Sequence, residues 1–276
     1  METSTGRDLD PDLRRLVRLE GVFGRGGAMS KVEEYREALR QLVDWDAFLL
    51  EESGLPGPRG NIELARAVAE EGDEELFRRY LAYDEQRAPT NSPEEFLAFC
   101  GILGLGRLLA EGRMDLWATL RKCASDGRWR SREAVAMALQ RLGLANMDLL
   151  LLEMAGWSQG SLLEKRAAAA ALCEPGLLSD QRHAREVLRL LDGLTASVGG
   201  LLDRTSDEFK AFRKGIGYCW SVAVAALPEE GKRLMEKWFS SDDGDVLWIM
   251  KQNLRKKRLE RMDAEWVRKW RAALKG

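Results

Sequence analysis

Sliding the chain by 33 residues lays REAVAMAL (132–139) on KRAAAAAL (165–172). Each copy follows a tryptophan-bearing approach, GRW before the first and AGWSQG before the second. A third, looser copy is FRKGIGYCWSVAVAAL (212–227), reached after a longer insertion. A fourth, DVLWIMKQNLRKKRL (245–259), keeps the helix and its basic character. A unit of this length cannot bury its own apolar face, so a recurring period in the thirties predicts stacked helix pairs in which each copy covers the one before. Alanine lets neighbouring helices approach closely. The alanine-rich helix is therefore expected on the inside of each pair, with Ala136 and Ala169 at equivalent buried positions.

Helix punctuation runs through the rest of the chain. SKVEEYREALRQLVDW (30–45) has apolar residues at helical spacing. Asn61 and Asp73 are suitable N-caps for the runs that follow them. In SPEE, Ser92 is expected to cap, Pro93 to fit the first turn and Glu95 to close a capping box. Ser206 and Pro228 open two further helices. No stretch sustains period-two alternation, and no Asn-Gly or Asp-Gly turn lies between strand-like runs. The expected fold class is all-α, a right-handed α-α superhelix, with a helical region over 1–120 continuous with repeats over 121–276.

Charge divides the chain in the same place. Residues 1–120 hold 15 Lys and Arg against 24 Asp and Glu, whereas residues 121–276 hold 28 against 21. The stretch from Lys251 onward has 10 basic and 3 acidic residues, so an anionic partner is expected to meet that end. No apolar run reaches the length of a membrane span, and METSTGRDLDPDLRR lacks the apolar core of a signal peptide. Cys100, Cys123, Cys173 and Cys219 are widely spaced without a CxxC pair, which points to reduced thiols in the cytoplasm. With one histidine, His183, and that cysteine spacing, no metal site and no histidine-based triad is expected.

Motifs of other chemistries fail on order. ESGLPGPRGN (52–61) lacks the GxxxxGK[ST] order and preceding strand of a phosphate loop, and it reads as a rigid connector. LGLGRLL (103–109) has glycines but no βαβ context. EEGDEE and SDDGD lack the ligand order of a calcium loop. No cofactor is expected. Trp129, Trp157 and Trp248 precede or open helices and are candidates for one exposed surface.

Two resemblances gather the remaining residues. Residues 126–143, D-x-x-W-x-x-R-E-A-x-x-x-A-L-x-x-L-G, resemble the HEAT-repeat consensus, with Asp126, Arg132, Ala134, Ala138, Leu139 and Leu142 at matching positions. The resemblance implies that Asp126 and Arg132 knit one repeat to the next. Within that family, the sequence is similar to HEAT-like DNA glycosylases that excise alkylated bases. Those enzymes have a tryptophan four residues before a catalytic aspartate, an arginine one repeat on, and a later K-A-I-G-W helix. Here Trp129 precedes Glu133 by four, Arg166 lies one repeat on, and KGIGY ends at Tyr218 with Trp220 beyond. Glutamate replaces the aspartate and tyrosine the tryptophan.

Two classes of function follow. The first is a non-enzymatic HEAT-like scaffold binding a protein or duplex DNA on its concave face, through Trp129, Arg166, Tyr218, Trp220, Lys256 and Lys257. The second is a glycosylase in which the Glu133 carboxylate stabilises the cationic sugar as the glycosidic bond breaks. A glutamate at a helix start also suits the helix dipole, and this favours the scaffold.

Overall fold

The computed structural model describes residues 29–274; the N-terminal stretch and Lys275 of the basic tail lie outside them. The described residues form fifteen α-helices and three short 3-10 turns, with no strand among them. None of these helices is long and apolar enough to cross a membrane. The chain divides into two compact units, one running to Gly104 and the other starting at Leu105.

In the first unit, α1 (Lys31–Arg40) lies along α3 (Ile62–Glu71). Asn61 caps α3 by accepting the Leu64 N–H, and Asp73 caps α4 (Glu74–Leu81) by accepting that of Leu76. The helix expected over 30–45 stops at Arg40, because Trp45 turns back and donates its indole N–H to the Leu39 carbonyl at 3.0 Å. A second helix, α2 (Asp46–Glu52), then begins. Arg36 and Arg40 both bond Glu71, joining α1 to α3, while Arg79 and Tyr80 both bond Asp46, joining α4 to α2.

The helix after SPEE, α5, spans Glu95–Ala110. The capping box expected there does not form. Ser92 Oγ has no hydrogen-bond partner, and Glu95 Oε2 instead accepts the N–H of Asn91 at 2.7 Å. Asn91 has φ of 70°, a left-handed conformation that asparagine tolerates, and this shifts the acceptor's target by one residue. The glycines of GILGLG serve packing. A Cβ on Gly104 would come within 2.3 Å of the Phe77 ring, and one on Gly106 within 2.5 Å of Ala138.

The second unit continues through α6 (Trp117–Cys123), α7 (Trp129–Ala145), α8 (Met147–Trp157), α9 (Leu162–Leu172) and α10 (Gln181–Ser197). Then come α11 (Asp207–Ala226), α12 (Pro228–Phe239), α13 (Gly244–Leu254), α14 (Lys257–Met262) and α15 (Ala264–Ala273). Alternate helices pack side by side: α7, α9, α11 and α13 form one row, while α8, α10 and α12 form a second row against it. Ala134, Ala138, Ala167, Ala168 and Ala171 are buried in the first row, as are Ala136 and Ala169. The capping box of this unit is Ser161 with Glu164, an S-x-x-E signal legible in the sequence.

Several polar bridges between helices span 32 to 35 residues in sequence, whereas Arg121–Glu164 spans 43. Arg166 bonds Glu133 across 33 residues, Arg182 bonds Asp148 across 34, Arg213 bonds Asp245 across 32 and Asn253 bonds Ser221 across 32. In the first unit Arg36–Glu71 spans 35 and Arg79–Asp46 spans 33. The second-row bridges Arg185–Glu230 and Lys237–Asp192 each span 45, because the 198–205 segment and the long helix α11 intervene.

Candidate functional site

The site begins at the entrance to α7. Asp126 accepts the Arg128 backbone N–H at 2.8 Å and its Nε at 2.9 Å, which fixes the turn before the helix. Burial by itself would raise the Asp126 carboxyl, but the Arg128 bonds outweigh it and hold the group below its ordinary value. Arg132 reaches back to the carbonyls of Asp126 and Gly127 at 2.5 and 2.7 Å. Asp126 and Arg132 thus brace the entrance itself. The bridge to the next helix of the row runs through Glu133 and the backbone carbonyl of Arg132.

Trp129 opens α7 with 45% of its surface exposed, and the Arg130 guanidinium lies 4.4 Å from its ring centroid. Glu133 follows one turn later on the same face. Its carboxylate pairs with Arg166 of α9, whose Nη1 also donates to the Arg132 carbonyl at 2.9 Å. The Arg166 side chain is 12% exposed and that of Glu133 46%, so the arginine is the buried partner. On its other side, the Arg166 stem packs against α11, where a Cβ on Gly215 would stand 3.1 Å from Arg166 Cγ. Gly215 is small because the arginine occupies the space a side chain would need.

Tyr218 lies three residues beyond Gly215, hence on the same face of α11. It is 43% exposed, with Lys256 Nζ 5.2 Å and the Arg258 guanidinium 4.8 Å from its ring centroid. Arg258 also donates to the Tyr218 hydroxyl. The structure therefore joins Glu133 to Arg166, with Trp129 one turn before Glu133, and Arg166 packs on Gly215, one turn before Tyr218, which Lys256 covers. Lys257 is the exposed first residue of α14, next to this row.

Trp220 does not join them. It is fully buried, and its indole N–H donates to Thr195 Oγ1 at 2.9 Å. A ring enclosed by α10 and α11 presents no face to a partner, so the expected binding role is withdrawn. Trp157 is likewise in the core, edge-on to Trp117 at 6.3 Å. Trp248 lies under Arg213, 4.4 Å from its ring centroid. Sequence reading missed Arg258, which lies 40 residues from the ring it covers; the KKR run was its only signal.

The stretch from Lys251 onward differs from the rest of the described chain in how its cations are satisfied. Arg36, Arg40, Arg78 and Arg79 pair with carboxylates. Lys251, Arg255, Lys256, Lys257, Arg258, Arg261, Arg268 and Lys269 form no ion pair with a described residue, and within 251–274 Arg271 alone does, with Glu260. Chemically, the row offers an exposed indole, an engaged carboxylate and a tyrosine ring under two cations. Comparison with known proteins found no matching family model, no matching curated protein and no matching solved structure.

Proposed function

We propose that this chain is a HEAT-like helical-repeat scaffold, a right-handed α-α superhelix, whose α7–α9–α11–α13 face binds duplex DNA. Inter-helix bridges that span 32 to 34 residues support the repeat. The observation that carries the partner is the set of unpaired cations from Lys251 to Lys269, beside the exposed Tyr218. A surface that leaves eight cations unpaired within one short stretch is poised to exchange its counterions for phosphates. Retention of the protein by duplex DNA should fall steeply with salt. Lys256→Glu with Lys257→Glu should abolish it while leaving the helical circular-dichroism signal intact. Retention that survives the double change would remove the surface from the reading.

A second reading is favoured by one contact. Glu133 pairs with Arg166, and Trp129 stands one turn before Glu133 on α7, the order an alkylpurine DNA glycosylase of this type would require. The scaffold stands first because the Glu133 carboxylate is already paired with Arg166, and so joins two helices. Purified protein should release no methylpurine from methylated DNA. Release that disappears in Glu133→Gln, at unchanged melting temperature, would put the enzyme first.

A further inference from the structure

Lys256 and Arg258 hold two positive charges against one ring, that of Tyr218. Neither pairs with a carboxylate among the described residues. Arg258 Nη1 is buried with no acceptor among the described residues, while its Nη2 donates to the tyrosine hydroxyl. Lys256 sits at the N-cap position of α14 and is half-buried, so neither cation can swing freely into bulk water. Like charges held together repel, and partial burial weakens the screening that would relieve them. The arrangement is completed by a group carrying negative charge and several acceptor oxygens.

We propose that Tyr218, Lys256 and Arg258 form a seat for one phosphate group, filled by a backbone phosphate of nucleic acid. The Lys256 ammonium supplies a charge-assisted donor to the phosphate oxygens, and Arg258, held in place by the Tyr218 hydroxyl, adds its positive charge beside it. A contact made by these two cations to a phosphate is to the backbone and is indifferent to sequence. This inference rests on the reading of the α7–α13 face as a DNA surface, and it names where on that face a phosphate sits.

The test titrates wild type, Lys256→Gln, and Lys256→Gln with Arg258→Gln. Each is titrated with two short duplexes of unrelated sequence over a salt series, and separately with inorganic pyrophosphate by thermal shift. Wild type should bind both duplexes equally and melt higher with pyrophosphate. The double variant should lose the pyrophosphate shift, and its slope of log affinity against log salt should fall by about 1, the one phosphate that the seat neutralises. The single variant, with the buried arginine intact, should fall between them, which separates a lost contact from a misfolded chain. An unchanged slope and an unchanged pyrophosphate response in the double variant would overturn the seat, even if DNA is bound. A pyrophosphate shift that vanishes in the variant, in a protein that retains no duplex, would keep the seat and remove the DNA reading. Displacement of pyrophosphate by poly-glutamate as readily as by duplex would overturn phosphate as the ligand.

Discussion

Arg166 donates to both the Glu133 carboxylate and the Arg132 carbonyl, tying α9 to the first turn of α7. The two partners should respond differently to removal. Glu133→Gln leaves a half-exposed site and should cost no more than about 1 kcal/mol. Arg166→Ala strips the carbonyl bond and the stem packed on Gly215, and should cost about 2 kcal/mol. Urea unfolding of the two variants measures the difference; equal losses would mean that the ion pair, not the buried arginine, makes the joint.

Ala136 and Ala169 are 3% and 0% exposed on the α7 and α9 helices. Replacing either by Phe should overpack the row and cost roughly 1–3 kcal/mol. An unchanged melting temperature in both would remove them from the packed faces.

Trp220 belongs to the core, so its loss should be felt in stability and not in binding. Trp220→Ala should cost about 3–5 kcal/mol through the cavity it leaves. Trp220→Phe should cost less, chiefly the bond to Thr195. Duplex retention by folded Trp220→Phe should match wild type, and a selective loss of binding would return the residue to the site.

Acid stability should depend on Asp126. Its folded carboxyl lies below the ordinary aspartate value, burial opposing and the Arg128 bonds prevailing. A lowered folded value means stability that is present above about pH 4 and lost as pH falls through the folded value. Asp126→Asn should therefore be less stable at neutral pH and show a flatter decline below pH 4. Parallel wild-type and variant curves down to acid would show the carboxylate contributes nothing.

The thiols should be inert in the native state. Burial pushes Cys123 up to about 11, with the nearby Asp126 charge adding to it. Burial also raises Cys100 and Cys173 well above their ordinary value, and Cys219 is buried. A thiol reagent at pH 8 should find little thiolate until denaturant exposes all 4 cysteines. Rapid native labelling of any one would place it on an open surface.

Local chemistry was the most legible part of the sequence. Asn61, Asp73 and Ser206 each cap where a short oxygen-bearing side chain precedes a periodic run, because a cap needs only its own next three residues. The Ala134–Ala138 face was legible for a similar reason, since small residues at helical spacing admit a close neighbour. Ser92 misled, because the left-handed turn at Asn91 moved Glu95's target by one residue and no propensity records that shift. Trp220 misled because tryptophan serves equally as a core filler or a contact, and its partner Thr195 lies 25 residues away. Arg258 was hidden by distance along the chain. Tyr218 and Arg258 meet only once α11 and α14 are packed.

The spacing of the inter-helix bridges also governs how the chain can grow and shrink. Each bridge ties a helix to its near neighbours in the row, so no single joint holds the whole unit closed. Cutting the chain before Gly244 would uncover one side of α11 and undo the Arg213–Asp245 and Ser221–Asn253 ties, while the Glu133–Arg166 joint kept all its partners. The 45-residue bridges of the second row span the 198–205 segment and α11, and the helices on either side still pair. Helix pairs added at an end of such a row would leave these middle joints unchanged.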